Sequence, residues 1–182
     1  MKRHLSVALL AISTLALLPA TSPAGDAFVK FGLVVNDLGE GFDFSDRWQI
    51  GAGADWVVAD TVGIGFEVQF AYRKYTISLL GTDVDIRAIP LNLFGNVKFK
   101  PELDGGVHPF AGAGFGMMGS INSAEGGGST EVDSDFDPGL HLMGGLELGS
   151  SDGAAFLVEF ELARPVVDGA QNIYVFYGGI RF

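Results

Sequence analysis

The segment Val62–Arg73, VGIGFEVQFAYR, alternates with a period of two. Val62, Ile64, Phe66, Val68, Phe70 and Tyr72 fall on one face, and Gly63, Gly65, Glu67, Gln69, Ala71 and Arg73 on the other. A helix would scatter both sets around its circumference, so the segment is a strand. The stretch before it, RWQIGAGADWVV, repeats the pattern, with Trp48, Ile50, Ala52, Ala54, Trp56 and Val58 opposite Arg47, Gln49, Gly51, Gly53, Asp55 and Val57. Only ADT at 59–61 separates the two strands, a tight hairpin connection.

Six further segments alternate less cleanly: Ala27–Val35, Val84–Lys100, Pro109–Gly119, Gly139–Gly149, Ala154–Ala163 and Asn172–Phe182. Val84–Lys100 changes phase at Pro90. Asp85 and Arg87 hold the polar face before it, and Asn92, Asn96 and Lys98 hold it after, so a bulge near Ala88–Pro90 is expected. No interior segment has helical periodicity. The expected fold is all-β, an eight-stranded antiparallel up-and-down barrel in a single domain spanning 25–182. Ala59–Thr61, Lys100–His108 and Ser150–Gly153 are its turns at one end. Asn36–Asp46, Lys74–Asp83, Ser120–Pro138 and Arg164–Gln171 are loops at the other.

Residues 1–24 read as an export signal. Met-Lys-Arg-His precedes a 14-residue apolar run, Leu5–Leu18, too short for the roughly 20 residues of a spanning helix. Ser22 and Ala24 then supply the small residues before a cleavage point. Cleavage removes Lys2 and Arg3 and no acid, so the formal charge of −11 becomes −13. That acidity argues against nucleic acid as a partner. The chain has no cysteine, which excludes disulfides, thiolate metal sites and a Cys nucleophile.

An acidic chain is usually polar, yet 48% of these residues are apolar. An apolar face turned outward into lipid resolves the conflict. The runs are longer than the usual five or six residues of soluble strands and match the roughly 9–11 of a spanning strand. Trp48 and Trp56 lie eight residues apart on the apolar face, roughly 21 Å of height at a strand tilt of about 40°, near the spacing of two aromatic girdles. Tyr72 and Tyr174 would join the outer girdle, and Phe99 and Phe182 the inner one. The polar face, enclosed, would hold Lys30, Arg47, Arg73, Arg87, Lys98 and Arg181 against Asp55, Glu67, Asp85, Glu147, Glu159 and Glu161, with His141 completing the network. Charges in a closed lumen are expected to pair.

The end of the chain, NIYVFYGGIRF, alternates back from a terminal aromatic through Ile180, Gly178, Phe176 and Tyr174. It resembles the last strand of bacterial outer-membrane barrels. AIPLNLFGNVKFK followed by HPFAGAGFGMMG is similar to the middle hairpin of small eight-stranded barrels of the OmpA/OmpX type. The resemblance implies a bacterial outer-membrane location, contact with membrane lipid and lipopolysaccharide, and recognition of the C-terminal strand by the barrel-insertion machinery. A monomer is expected.

Three stretches invite other chemistry. Gly114-x-Gly116-x-x-Gly119 fits a dinucleotide-binding spelling, but no helix follows it. Gly112, Gly114 and Gly116 continue a small-residue stripe with Gly51, Gly53, Gly63 and Gly65, which makes room inside a narrow barrel. Segment 120–138 carries Glu125, Glu131, Asp133, Asp135 and Asp137 with no Lys or Arg. Asp133-x-Asp135-x-Asp137 resembles the start of a calcium loop, but Pro138 stands where an EF-hand needs Gly, so only loose divalent-cation contact is expected there. His141 could meet Glu147 or Glu159 across the lumen, but no serine stands on a neighbouring strand, so no catalytic residue and no cofactor is expected. These features favour a structural or surface-interaction barrel. The alternative is a narrow porin-like channel for small or hydrophobic solutes, since eight strands enclose little more than their own side chains.

Overall fold

The computed structural model describes residues 25–35, 47–79, 82–101, 103, 105–126, 129–149 and 153–182. The expected export signal, 1–24, and the loop Asn36–Asp46 lie outside them. Strand segments run in the order β1 Gly25–Val34, β2 Trp48–Ala59, β3 Val62–Phe70, β4 Arg73–Leu79, β5 Thr82–Phe99, β6 Val107–Gly126, β7 Ser129–Gly149, β8 Ala155–Pro165 and β9 Ile173–Arg181. All neighbours are antiparallel, in the sheet order β3-β2-β1-β9-β8-β7-β6-β5-β4, and a further β3–β5 pairing closes the cylinder. Segments β3 and β4 are one crossing interrupted at Ala71 and Tyr72. Phe70↔Leu91 and Arg73↔Ala88 keep a single register against β5, and Ala71 N–H donates to Pro90 O at 3.1 Å across the gap. The barrel therefore has eight crossings.

Burial follows the alternation. Inside lie Lys30, Gln49, Asp55, Glu67, Gln69, Asn96, Lys98, His141, Glu159 and Glu161, together with Phe28, Phe94, Phe110 and Tyr177. Outside, Phe31, Phe115, Leu142, Phe156 and Phe176 are each more than half exposed. This continuous apolar exterior over a charged interior inverts the arrangement of a soluble barrel, and hydrocarbon is the solvent that suits it.

Two expectations about the strands are corrected. No bulge interrupts β5: its ladder with β6 runs unbroken from Asp85↔Glu125 to Phe99↔Ala111. Asp85 and Arg87 consequently share the outward parity of Leu91 and Leu93, and Ala88 is buried with Asn92. The second correction concerns the segments read as loops at 74–83 and 120–138, which are mostly strand. Pairing of β6 with β7 continues to Gly126↔Ser129, whereas β7 leaves β8 at Gly139↔Pro165, with one more bond from Val166 N–H to Pro138 O at 2.7 Å. The hairpin simply carries the barrel's register upward, since each added rung orders few new residues once the ladder exists. Above the apolar belt both faces are wet, so polar residues no longer mark the inside. Asp85 illustrates this at the surface: it accepts from Thr76 Oγ1 at 2.7 Å and lies 3.1 Å from Lys74 Nζ. The Thr76 hydrogen bond, then Lys74, holds its carboxyl below the usual carboxylate range.

Candidate functional site

The lumen is the candidate site. At mid-height Lys30 reaches inward from β1 and meets three carboxylates: Glu67 Oε1 at 2.6 Å, Glu161 Oε2 at 3.4 Å, and Glu159, which accepts a short hydrogen bond. All four side chains are sealed from solvent. The ammonium also sits 4.1 Å from the centre of the Tyr177 ring, a cation–π contact. Gln69 ties the carboxylates together, donating to Glu67 Oε1 at 2.9 Å and to Glu161 Oε1 and Oε2 at 2.8 and 2.7 Å. Its own carbonyl oxygen accepts from Gln49 at 2.7 Å and Asn92 at 3.0 Å, and Gln49 also donates to Tyr177 Oη at 2.7 Å.

Glycine makes this geometry possible. Gly51 lies between Lys30 and Gln69 in the sheet, and a methyl there would stand 2.7 Å from Lys30 Cε and 3.0 Å from Glu67 Oε1. Gly114 lies between Asn96 and His141 and leaves the gap their side chains fill. The small-residue stripe thus accommodates large neighbours, as the sequence suggests, and no helix follows these glycines.

A second group of charges closes the turn end. Asp55 accepts from Lys98 at 2.8 Å and lies 3.4 Å from Lys100 Nζ. Glu147 accepts from Lys100 at 2.9 Å and lies 3.2 Å from Arg181 Nε, and Arg181 also donates to Asp26. Three acids meet three cations here.

His141 meets neither Glu147 nor Glu159. Its Nε2 is 2.7 Å from Asn96 Oδ1, and its Nδ1 is 3.2 Å from Glu161 Oε1, off the line of a good hydrogen bond. The ring stacks on Phe94 at 3.9 Å between centroids. Arg47 and Arg73 are half-buried on the inward parity towards the extended end. Asp85 and Arg87, expected in the lumen, are outside it, because they stand above the belt where a polar side chain gains nothing from turning inward. The alternation did mark the inward parity of Gln49, Gln69, Asn92 and Asn96, yet charge pairing alone gives no weight to amides. Asp26 and Lys100, at strand ends, were missed for the same reason as any residue beyond a clean repeat.

Trp48, Tyr72 and Tyr174 stand towards the extended end of the outer face, and Trp56, Phe99 and Phe182 towards the turn end. Trp48 lies 6.2 Å from Phe70, and Trp56 lies 5.8 Å from Phe66 between ring centroids.

No protein-family model matches the sequence, and no curated protein matches it significantly. Solved structures do. Neisserial surface protein A aligns with a TM-score of 0.53 at 16% identity, covering 86% of this chain and 94% of that one. Ail of Yersinia pestis, solved with the heparin analogue sucrose octasulfate, gives 0.53 at 14% identity, covering 88% and 100%. The N-terminal β-barrel domain of OprF from Pseudomonas aeruginosa gives 0.53 at 11% identity, covering 87% and 97%. The fold is that of the small outer-membrane barrels. The outward apolar belt has the character of a lipid-facing surface, and the sealed charge cluster fills the lumen around Lys30.

Proposed function

We propose that this chain is an integral bacterial outer-membrane protein with a structural or surface-interaction role and no catalytic one. The observation that carries the reading is the packed mid-lumen. Lys30, Glu67, Gln69, Glu159 and Glu161 fill the barrel with mutually bonded side chains, each no more than 1% exposed. Such a plug rigidifies an anchor and opposes passage. His141 supports the non-catalytic reading, since its ring stacks on Phe94 and its Nε2 is engaged with Asn96 Oδ1 at 2.7 Å. A nucleophile would find no free base there.

The surface role falls to the β4–β7 extension, which stands beyond the belt. On β7, Glu131, Asp133, Asp135 and Asp137 alternate along one face, opposite Val132, Ser134 and Phe136. This row suits loose divalent cations bridging to anionic lipopolysaccharide head groups. Ail was solved with a polyanionic ligand, but an acidic row argues against carrying that ligand class to this chain. Trp48, Tyr72 and Tyr174 would form the outer girdle and Trp56, Phe99 and Phe182 the inner one. The terminal strand β9, ending beside Phe182, is the segment the insertion machinery would read.

Planar-bilayer recording of the refolded barrel tests the reading. A structural plug gives no unitary conductance. Stable open channels that survive neutralising both Glu67 and Lys30 would establish the porin-like alternative instead.

A further inference from the structure

The two charged groups of the lumen differ in their balance. At the turn end Asp26, Asp55 and Glu147 face Lys98, Lys100 and Arg181, charge for charge. At mid-height three carboxylates share the single ammonium of Lys30. The next cation along the lumen, Lys98, is committed to Asp55 at 2.8 Å. The nearest ring, His141, offers Glu161 only an off-axis contact. Against Lys30 alone the three carboxylates carry two negative charges in excess, in a sealed space where unpaired charge is costly.

The surplus has a location. Glu67 Oε2 and Glu159 Oε2 are buried without a hydrogen-bond partner, although Gln49, Gln69, Asn92 and Lys30 satisfy the atoms around them. One carboxylate oxygen from each of Glu67, Glu159 and Glu161 lies within 4.8 Å of the other two. Calcium, with bonds of about 2.3–2.6 Å and no fixed geometry, suits such a group better than magnesium, which holds a rigid octahedron at about 2.0–2.1 Å and gives up its water reluctantly. An all-oxygen donor set selects a hard cation over a transition metal.

We propose that Glu67, Glu159 and Glu161 form a buried divalent-cation site beside Lys30, with calcium the preferred ion. One ammonium and one divalent cation carry three positive charges, matching the three carboxylates. The ion is held against Glu67 Oε2 and Glu159 Oε2, the buried oxygens that have no hydrogen-bond partner. Because the cluster has no exposed side chain, the ion enters as the barrel closes and leaves only when it opens. The site is distinct from the acid row on β7, where Glu131, Asp133 and Asp135 are exposed.

The test is to refold the whole processed chain from urea into detergent at pH 8, where imidazole is neutral, with millimolar calcium or with a chelator. The sample is then desalted through chelator-containing buffer and its calcium measured by atomic emission. One calcium retained per barrel is expected, with a higher temperature for the unfolded-band shift on gels than in the chelator-refolded sample. E67Q and E159Q should retain none, whereas D133N/D135N/D137N should retain it in full. No retained calcium in the unaltered protein would overturn the site and leave protons as the neutralising charge. Loss in the surface-row variant alone would also overturn it, moving the ion to β7. Should E67Q and E159Q fail to fold, the unaltered protein and the surface-row variant still decide between these outcomes.

Discussion

Gly114 faces His141 directly across the β6–β7 ladder, and a methyl group on it would lie 2.0 Å from His141 Nε2 and 2.3 Å from Asn96 Oδ1. Neither neighbour can retreat easily, since the imidazole is stacked on Phe94 and the amide is held by the imidazole. G114A should therefore destabilise the barrel by about 1–3 kcal/mol through overpacking. Outward Gly144 is the control. Its added methyl meets only the Phe110 carbonyl at 3.7 Å, so G144A should change stability by less than about 0.5 kcal/mol. Urea titration followed by tryptophan fluorescence compares the two.

Removing the Lys30 ammonium strands three buried carboxylates. K30M should cost about 3–5 kcal/mol, or prevent refolding altogether. Neutralising its partners as well, in K30M/E67Q/E159Q, should recover much of the loss, because amides carry no charge to leave unpaired. The heat-dependent gel shift of detergent-refolded samples reads both variants. Equal losses in the single and triple variants would mean that packing of the lysine stem, rather than its charge, is what matters.

The lipid-facing strands were legible because hydrocarbon permits one pattern only. Val62–Phe70 has to turn Ile64, Phe66 and Val68 outward and Glu67 and Gln69 inward, and nothing else satisfies both solvents. Above the belt that constraint vanishes. Asp85 and Arg87 were read as lumenal because polarity there still looked like a lining, although water stands on both sides. Ser120–Pro138 was read as a loop because its glycines, serines and aspartates mark turns in a solvated chain, whereas an existing ladder can simply continue through them. The balance of lumenal charges, six of each sign by sequence, suggested pairs. Register instead gathers Glu67, Glu159 and Glu161 around Lys30, and Gly51 and Gly179 beside the lysine let its stem cross the interior. Such clustering depends on which strands adjoin, which alternation within a strand does not encode.

The same reasoning ranks substitutions on the two faces. Phe115 is 61% exposed on the outer surface, beside Gly95 and opposite Leu140. F115R should cost about 2–4 kcal/mol in a bilayer if the residue lies near the midplane. Q69R should cost less, since its new cation lands between Glu67 and Glu161. Refolding yields into phospholipid vesicles give the comparison. A Q69R barrel that folds worse than F115R would contradict the charge surplus of the lumen.

Absence of cysteine allows the facing of every strand to be read directly by single spin labels. Cysteines placed at Phe31, Phe115, Leu142 and Phe156, labelled and refolded into vesicles, should relax strongly with dissolved oxygen and weakly with a water-soluble nickel complex. Labels at Asp133 and Asp135 on the extension should show the reverse. Equal nickel accessibility at Phe31, Phe115, Leu142 and Phe156 would place the apolar belt in water and contradict a membrane-spanning barrel.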